Sequence, residues 1–169
     1  LIIYQNGTEL IDTDTTDYLN LGKYIKTCLQ IDKYISVHKR HTLLVNISSA
    51  YYNKSGNVFF NEAILGGTIQ NNRNQYSVTG VLPIQIRSTS FSIFHLGYQW
   101  EFAKNLFVIP RGNLMYYDYP YDFIKDGKWL QGGAITFGYA SGLGPIHITM
   151  MYSPQVNKLY PFINLGFSF

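Results

Sequence analysis

The clearest hydrophobic pattern in the chain has a period of two. Phe94, Leu96, Tyr98, Trp100 and Phe102 form an apolar row whose opposite face carries His95, Gly97, Gln99 and Glu101. Successive side chains of an extended backbone point to opposite faces, so this alternation predicts a strand. It recurs at the carboxyl end, where Ile163, Leu165, Phe167 and Phe169 alternate with Phe162, Asn164, Gly166 and Ser168. Before that, Ile146, Ile148, Met150 and Tyr152 oppose His147, Thr149, Met151 and Ser153, and Ile135, Phe137 and Tyr139 oppose Ala134, Thr136, Gly138 and Ala140. Ser141-Gly142-Leu143-Gly144 joins those two runs as a tight hairpin turn. Ala103-Lys104-Asn105 turns into a further strand from Leu106 to Tyr117, with Arg111 and Asn113 opposite Val108, Leu114 and Tyr116. Fainter alternation places strands around Leu43–Tyr51 and Leu19–Gln30.

The runs amount to about eight strands, several of them ten residues or longer, against a mean of about five or six in soluble sheets. A tilted strand of about nine to eleven residues crosses the hydrocarbon core of a bilayer. Connections at 103–105 and 141–144 are short, whereas those at 120–128 and 154–159 are longer and polar or aromatic. Short turns on one rim and long loops on the other suit an outer membrane barrel. The fold class expected is therefore all-β: a transmembrane antiparallel β-barrel. Residues 1–17 are expected to be a loop or an incomplete upstream strand, and 18–169 the barrel segment.

Composition sharpens this reading. The chain holds 15 Tyr, 11 Phe and 15 Gly, and only 14% of its residues are charged, against about 25% in ordinary soluble domains. Its net charge of +3 comes from scattered Lys and Arg, so no nucleic-acid partner is expected. Cys28 is the single cysteine, which excludes an intramolecular disulfide and a multi-cysteine zinc site. No run of about 18 apolar residues marks a membrane helix, but barrel strands escape that test because lipid-facing residues alternate with others. The start, Leu1-Ile2-Ile3-Tyr4, shows no initiator Met or signal peptide, so the chain is expected to begin inside a longer protein.

A soluble barrel places large apolar residues inside and charge outside. Here the face opposite the apolar rows is Gly, Ser, Asn and Thr, as expected for a watery or plugged lumen. Phe94, Leu96, Tyr98, Trp100, Ile135, Phe137, Ile146, Ile148, Met150 and Ile163 are expected to face lipid. Arg87, His95, Gln99, Glu101, Arg111, Asn113, His147 and Asn164 are expected to be luminal, with Arg87, Arg111 and Glu101 in one polar network. Tyr51, Tyr52, Trp100, Tyr116, Tyr117, Trp129, Tyr139 and Tyr160 suit girdles at the membrane interfaces.

The ending Leu165-Gly166-Phe167-Ser168-Phe169 resembles the carboxyl-terminal signature of outer membrane barrels, and the likeness implies that Leu165, Phe167 and Phe169 are read by the barrel assembly machinery. The landmarks Leu65-Gly66-Gly67, Val78-Thr79-Gly80, Gly97-Tyr98-Gln99-Trp100 and Gly138-Tyr139-Ala140-Ser141-Gly142-Leu143-Gly144-Pro145-Ile146 together resemble the bacterial surface antigen superfamily. The likeness is greatest to barrels that follow a patatin-like phospholipase domain in Bacteroidetes-type proteins. It covers roughly the last 110 residues. It implies a bacterial outer membrane location, a sixteen-stranded barrel of which this chain is the carboxyl-terminal half, and an inward-folded loop carrying Val78, Thr79 and Gly80. The family usually has an Arg before that Gly, and this chain has Thr79. The alternative for 78–88 is a strand built on Leu82, Ile84 and Ile86. The rest of the wall is expected upstream, from a second copy or from another chain.

Catalysis is not expected here. An activated serine needs a Gly-x-Ser-x-Gly elbow, which the chain lacks, and Asp126-Gly127 reads as a hairpin tip. His38, His41, His95 and His147 lack the convergent ligands of a metal site, Asp12 to Asp17 lacks EF-hand spacing, and no cofactor is implied. The function expected is an outer membrane barrel that anchors and helps to export an upstream domain, either a patatin-like phospholipase or a periplasmic one. A small eight-stranded pore or adhesion protein and a soluble all-β binding protein are the alternatives. Detergent-free solubility would single out the last.

Overall fold

The computed structural model describes residues 2–9, 19–52, 62–68, 74–118, 127–142 and 144–166. In chain order the strands are β1 (Ile2–Glu9), β2 (Leu19–His38), β3 (His41–Tyr52), β4 (Ala63–Leu65), β5 (Gln75–Tyr76), β6 (Ile86–Ser88), β7 (Ser90–Ala103), β8 (Leu106–Asp118), β9 (Lys128–Ser141), β10 (Gly144–Ser153) and β11 (Lys158–Leu165). Eight of them form one antiparallel meander in the order β1-β2-β3-β7-β8-β9-β10-β11. The other three make a small sheet, β5-β4-β6, inside the connection between β3 and β7.

Strand length follows from the unbroken alternation. β2 runs for 20 residues, β7 and β9 for 14 each, more than the nine to eleven that a tilted strand needs to cross hydrocarbon. Two-residue turns separate β2 from β3 and β7 from β8, and β9 hands over to β10 at the same rim, where Ser141 pairs with Gly144. The strand ends that lead into 10–18, 53–62, 119–127 and 154–157 lie at the other rim. Among the described residues β1 and β11 do not pair with each other, so the sheet is open at both edges.

Cross-strand register gives the sheet two chemically different faces. Phe94 faces Ile47 and Leu114, Leu96 faces Val45, and Ile148 lies between Phe137 and Ile163. This convex face is apolar and uncovered: Leu29, Phe94, Leu96, Trp100, Phe137, Ile148 and Ile163 are each 44% exposed or more. An apolar surface this continuous is what a lipid or protein interface presents. The core lies on the concave side, near the rim of the long connections. There Ala50, Phe91, Ile93, Met115 and Leu130 of the wall bury Ala63, Leu65, Val78 and Val81 of the inward segment.

Candidate functional site

The site is the concave wall together with residues 62–68 and 74–89, the described parts of the segment 62–89, folded against it. Its small sheet closes through Gly66 N–H to Tyr76 O (3.1 Å), Gly67 N–H to Val81 O (2.8 Å) and Val78 N–H to Gly67 O (3.0 Å). These bonds pair backbone groups of the segment with one another where it packs on an apolar core. A strand on Leu82, Ile84 and Ile86 does not form. Ile84 adopts a φ of 65° and is exposed, and only Ile86–Ser88 pairs, antiparallel to β4. The Pro83 ring and this left-handed turn break the alternation that the sequence offered.

Val78, Thr79 and Gly80 lie directly on the wall. Gly80 has a φ of 92°, and a Cβ there would stand 2.7 Å from that of Ser153 and 2.8 Å from the Tyr152 carbonyl. Its N–H points to Met151 Sδ at 3.2 Å. A Cβ on Gly132 would fall 1.8 Å from the Thr79 carbonyl oxygen. Two glycines thus let backbone meet backbone. One further bond ties the segment down: His95 Nε2 lies 3.0 Å from Ser77 O, and since a carbonyl only accepts, the imidazole donates from Nε2.

The remaining polar wall is dispersed. Arg111 donates to Thr136 Oγ1 at 3.1 Å, and Thr136 shares a hydrogen bond with Thr149 at 2.8 Å. Glu101 accepts from Asn105 N–H at the short-turn rim, whereas Arg87 lies on β6, near Tyr117 and Lys128 of the opposite rim. The expected network of Arg87, Arg111 and Glu101 is therefore not assembled, because the three stand at different heights. His147 meets Phe107 edge-on at 5.6 Å. Asn164 pairs with His147 across β10 and β11, and Gln99 lies opposite Thr42 on the concave side. Asn113 is 7% exposed, and neither amide atom has a protein partner. A cavity of about 210 Å³ opens below the segment, lined by Asp32, Asn46, Ser48, Ser77, His95 and Arg111. Glu62 is buried where the segment begins, and burial raises its carboxyl above the ordinary value, opposed by the charge of Arg87.

Phe94, Leu96, Tyr98, Trp100, Ile135, Phe137, Ile146, Ile148, Met150 and Ile163 all lie on the convex face by register. Trp129 and Tyr139 are exposed there, and Tyr116 packs against Trp129 with the rings tilted by 48° and their centres 4.8 Å apart. Tyr117 departs from the girdle expectation: it packs against the luminal core. Leu165 is exposed at the end of β11, while Phe167 and Phe169 lie outside the described residues. The seat for the segment was missed in the sequence. Its signal was there, in apolar residues on both faces at one end of adjacent strands, as in Phe91-Ser92-Ile93-Phe94 and Leu114-Met115-Tyr116-Tyr117.

The sequence matches the OMP85 superfamily over residues 27–169. The chain belongs to the OMP85 superfamily. No curated protein and no solved structure matches it. OMP85 barrels are non-enzymatic translocation and assembly proteins of the outer membranes of Gram-negative bacteria or organelles. This OMP85 sheet thus presents one exposed apolar face, the convex one, and one face lined by small and polar residues on which the segment packs.

Proposed function

We propose that the chain is the carboxyl-terminal half of an outer membrane barrel that anchors an upstream domain and helps to carry it, or its product, across the membrane. The observation that supports this best is the segment 62–89 seated on the luminal wall of a sheet whose other face is apolar. A plain pore has no need of a backbone-to-backbone seat at Gly80 and Gly132. The open edges support a wall completed by further strands rather than a self-contained eight-stranded barrel, because lipid leaves no partner for an unpaired edge. The sequence likeness to barrels behind patatin-like phospholipase domains makes such a lipase the first candidate upstream, and the location proposed is a bacterial outer membrane.

Protease treatment of intact cells carrying the full-length protein tests the translocation role. Degradation of the upstream domain from outside is expected. An upstream domain that stays protected until the outer membrane is breached overturns translocation and leaves anchoring.

A further inference from the structure

At the short-turn rim the convex face ends in a row of rings. His41 stacks on Tyr98 at 5.7 Å and on Trp100 at 6.3 Å, the latter pair within 7° of parallel, and Trp100 meets Phe102 edge-on at 6.0 Å. The Tyr98 hydroxyl lies 2.6 Å from His41 Nδ1. Beyond this row come the turns that carry Lys39, Arg40 and Lys104, all exposed. The turns stand side by side, because Glu101 N–H donates to the Arg40 carbonyl at 2.9 Å. The neighbouring carboxylate, Glu101, is turned to the concave side and held by Asn105 N–H at 3.3 Å. The outward surface of this rim is therefore aromatic toward the membrane and cationic just beyond it.

Flat rings with one polar edge rest at the headgroup level of a bilayer, and a Lys or Arg beside an anionic lipid surface gains from the local potential within a Debye length. We propose that this rim binds the headgroups of anionic phospholipids in the leaflet it meets. Lys39, Arg40 and Lys104 hold the phosphates, and His41, Tyr98 and Trp100 lie at the upper boundary of the acyl chains. The charge complementarity favours a lipid over a protein partner, since the cations border a face already committed to hydrocarbon. The proposal rests on the outer membrane reading of the convex face.

Trp100 and Trp129 stand near opposite rims, so the difference between the full-length protein and its Trp100→Phe variant isolates the signal of Trp100 whatever other tryptophans the protein holds. Both are folded into phosphatidylcholine vesicles holding a trace of acceptor-labelled phosphatidylglycerol or equally labelled phosphatidylcholine. Energy transfer from Trp100 is expected to favour phosphatidylglycerol. The triple variant Lys39→Gln, Arg40→Gln, Lys104→Gln is expected to lower that preference about fivefold or more. Raised salt should weaken it in the unsubstituted rim as well, a measurement that stands even if the triple variant fails to fold. Equal transfer to both lipids, or a preference that neither the variant nor salt changes, overturns the headgroup site. Transfer to neither lipid, with Trp100 quenched by aqueous iodide, overturns the lipid-facing assignment on which the proposal rests.

Discussion

Gly132 and Gly133 are consecutive residues that look to opposite sides of one wall. A Cβ on Gly132 meets the Thr79 carbonyl at 1.8 Å, whereas one on Gly133 meets only the Arg111 carbonyl at 3.8 Å. Gly132→Ala is expected to lower folding stability in vesicles by about 1–3 kcal/mol, because backbone cannot yield as a side chain can. Gly133→Ala should be neutral, or stabilising by about 0.4–1 kcal/mol through the unfolded chain. Urea titration of both variants checks the pair, and equal effects would argue against a close seat for Thr79. Glu62 offers a second test at this scale. Burial raises its folded pKa above the unfolded value, so the folded state holds the proton more tightly. The stability this supplies is present below the ordinary carboxylate range and is lost as pH rises through the raised value. Glu62→Gln is expected to flatten that dependence, read as the rate of limited proteolysis within 62–89 across pH.

At the scale of the strand, β7 and β10 carry the membrane argument. Replacing Leu96 or Ile148 with Arg puts a charge on the convex face, and at the bilayer midplane this should cost about 2–4 kcal/mol. Gln99→Arg, on the concave side of the same β7, should cost much less, because a lumen can hydrate the guanidinium. Comparable losses for both positions would show that the two faces share one environment. The alternation of β7, β9 and β10 was legible because each apolar row is continuous and the opposing residues are small or polar. The segment 62–89 was not legible from period alone. Leu82, Ile84 and Ile86 match the strand pattern, yet Pro83 and the left-handed Ile84 turn the chain, and Leu82 N–H bonds to Gln85 Oε1 at 2.9 Å instead of to a neighbouring strand. A two-residue period reports which side a residue faces only after the backbone is extended, and nothing local distinguishes an extended strand from a compact turn with the same spelling.

For the whole molecule the decisive feature is that, among the described residues, β1 and β11 each pair on one side only. An unpaired edge strand exposes a row of backbone donors and acceptors, and hydrocarbon satisfies none of them. The 169-residue chain alone in vesicles is therefore expected to associate edge to edge, and cross-linking should yield dimers or larger species. A stable folded monomer would contradict the half-barrel reading. Deletion of Phe169 is expected to reduce the amount of folded protein in the outer membrane of cells, checked by heat-modified mobility. Unchanged insertion would refute a role for Phe169 as the assembly signal.

Alternation, low charge and abundant aromatics were enough to specify strands and their two faces, since each of these depends on residues near one another in the chain. The polar candidates His95, Arg111, Asn113 and His147 lie opposite the apolar rows, as the alternation requires, but the alternation gave none of them a partner. Which of them meets the segment 62–89, and that Phe91, Ile93, Met115 and Leu130 form its seat, depends on strands brought together from distant parts of the chain. Spacing along a strand fixes a side chain's direction; only the packing of the inward segment against the sheet sets what that side chain touches.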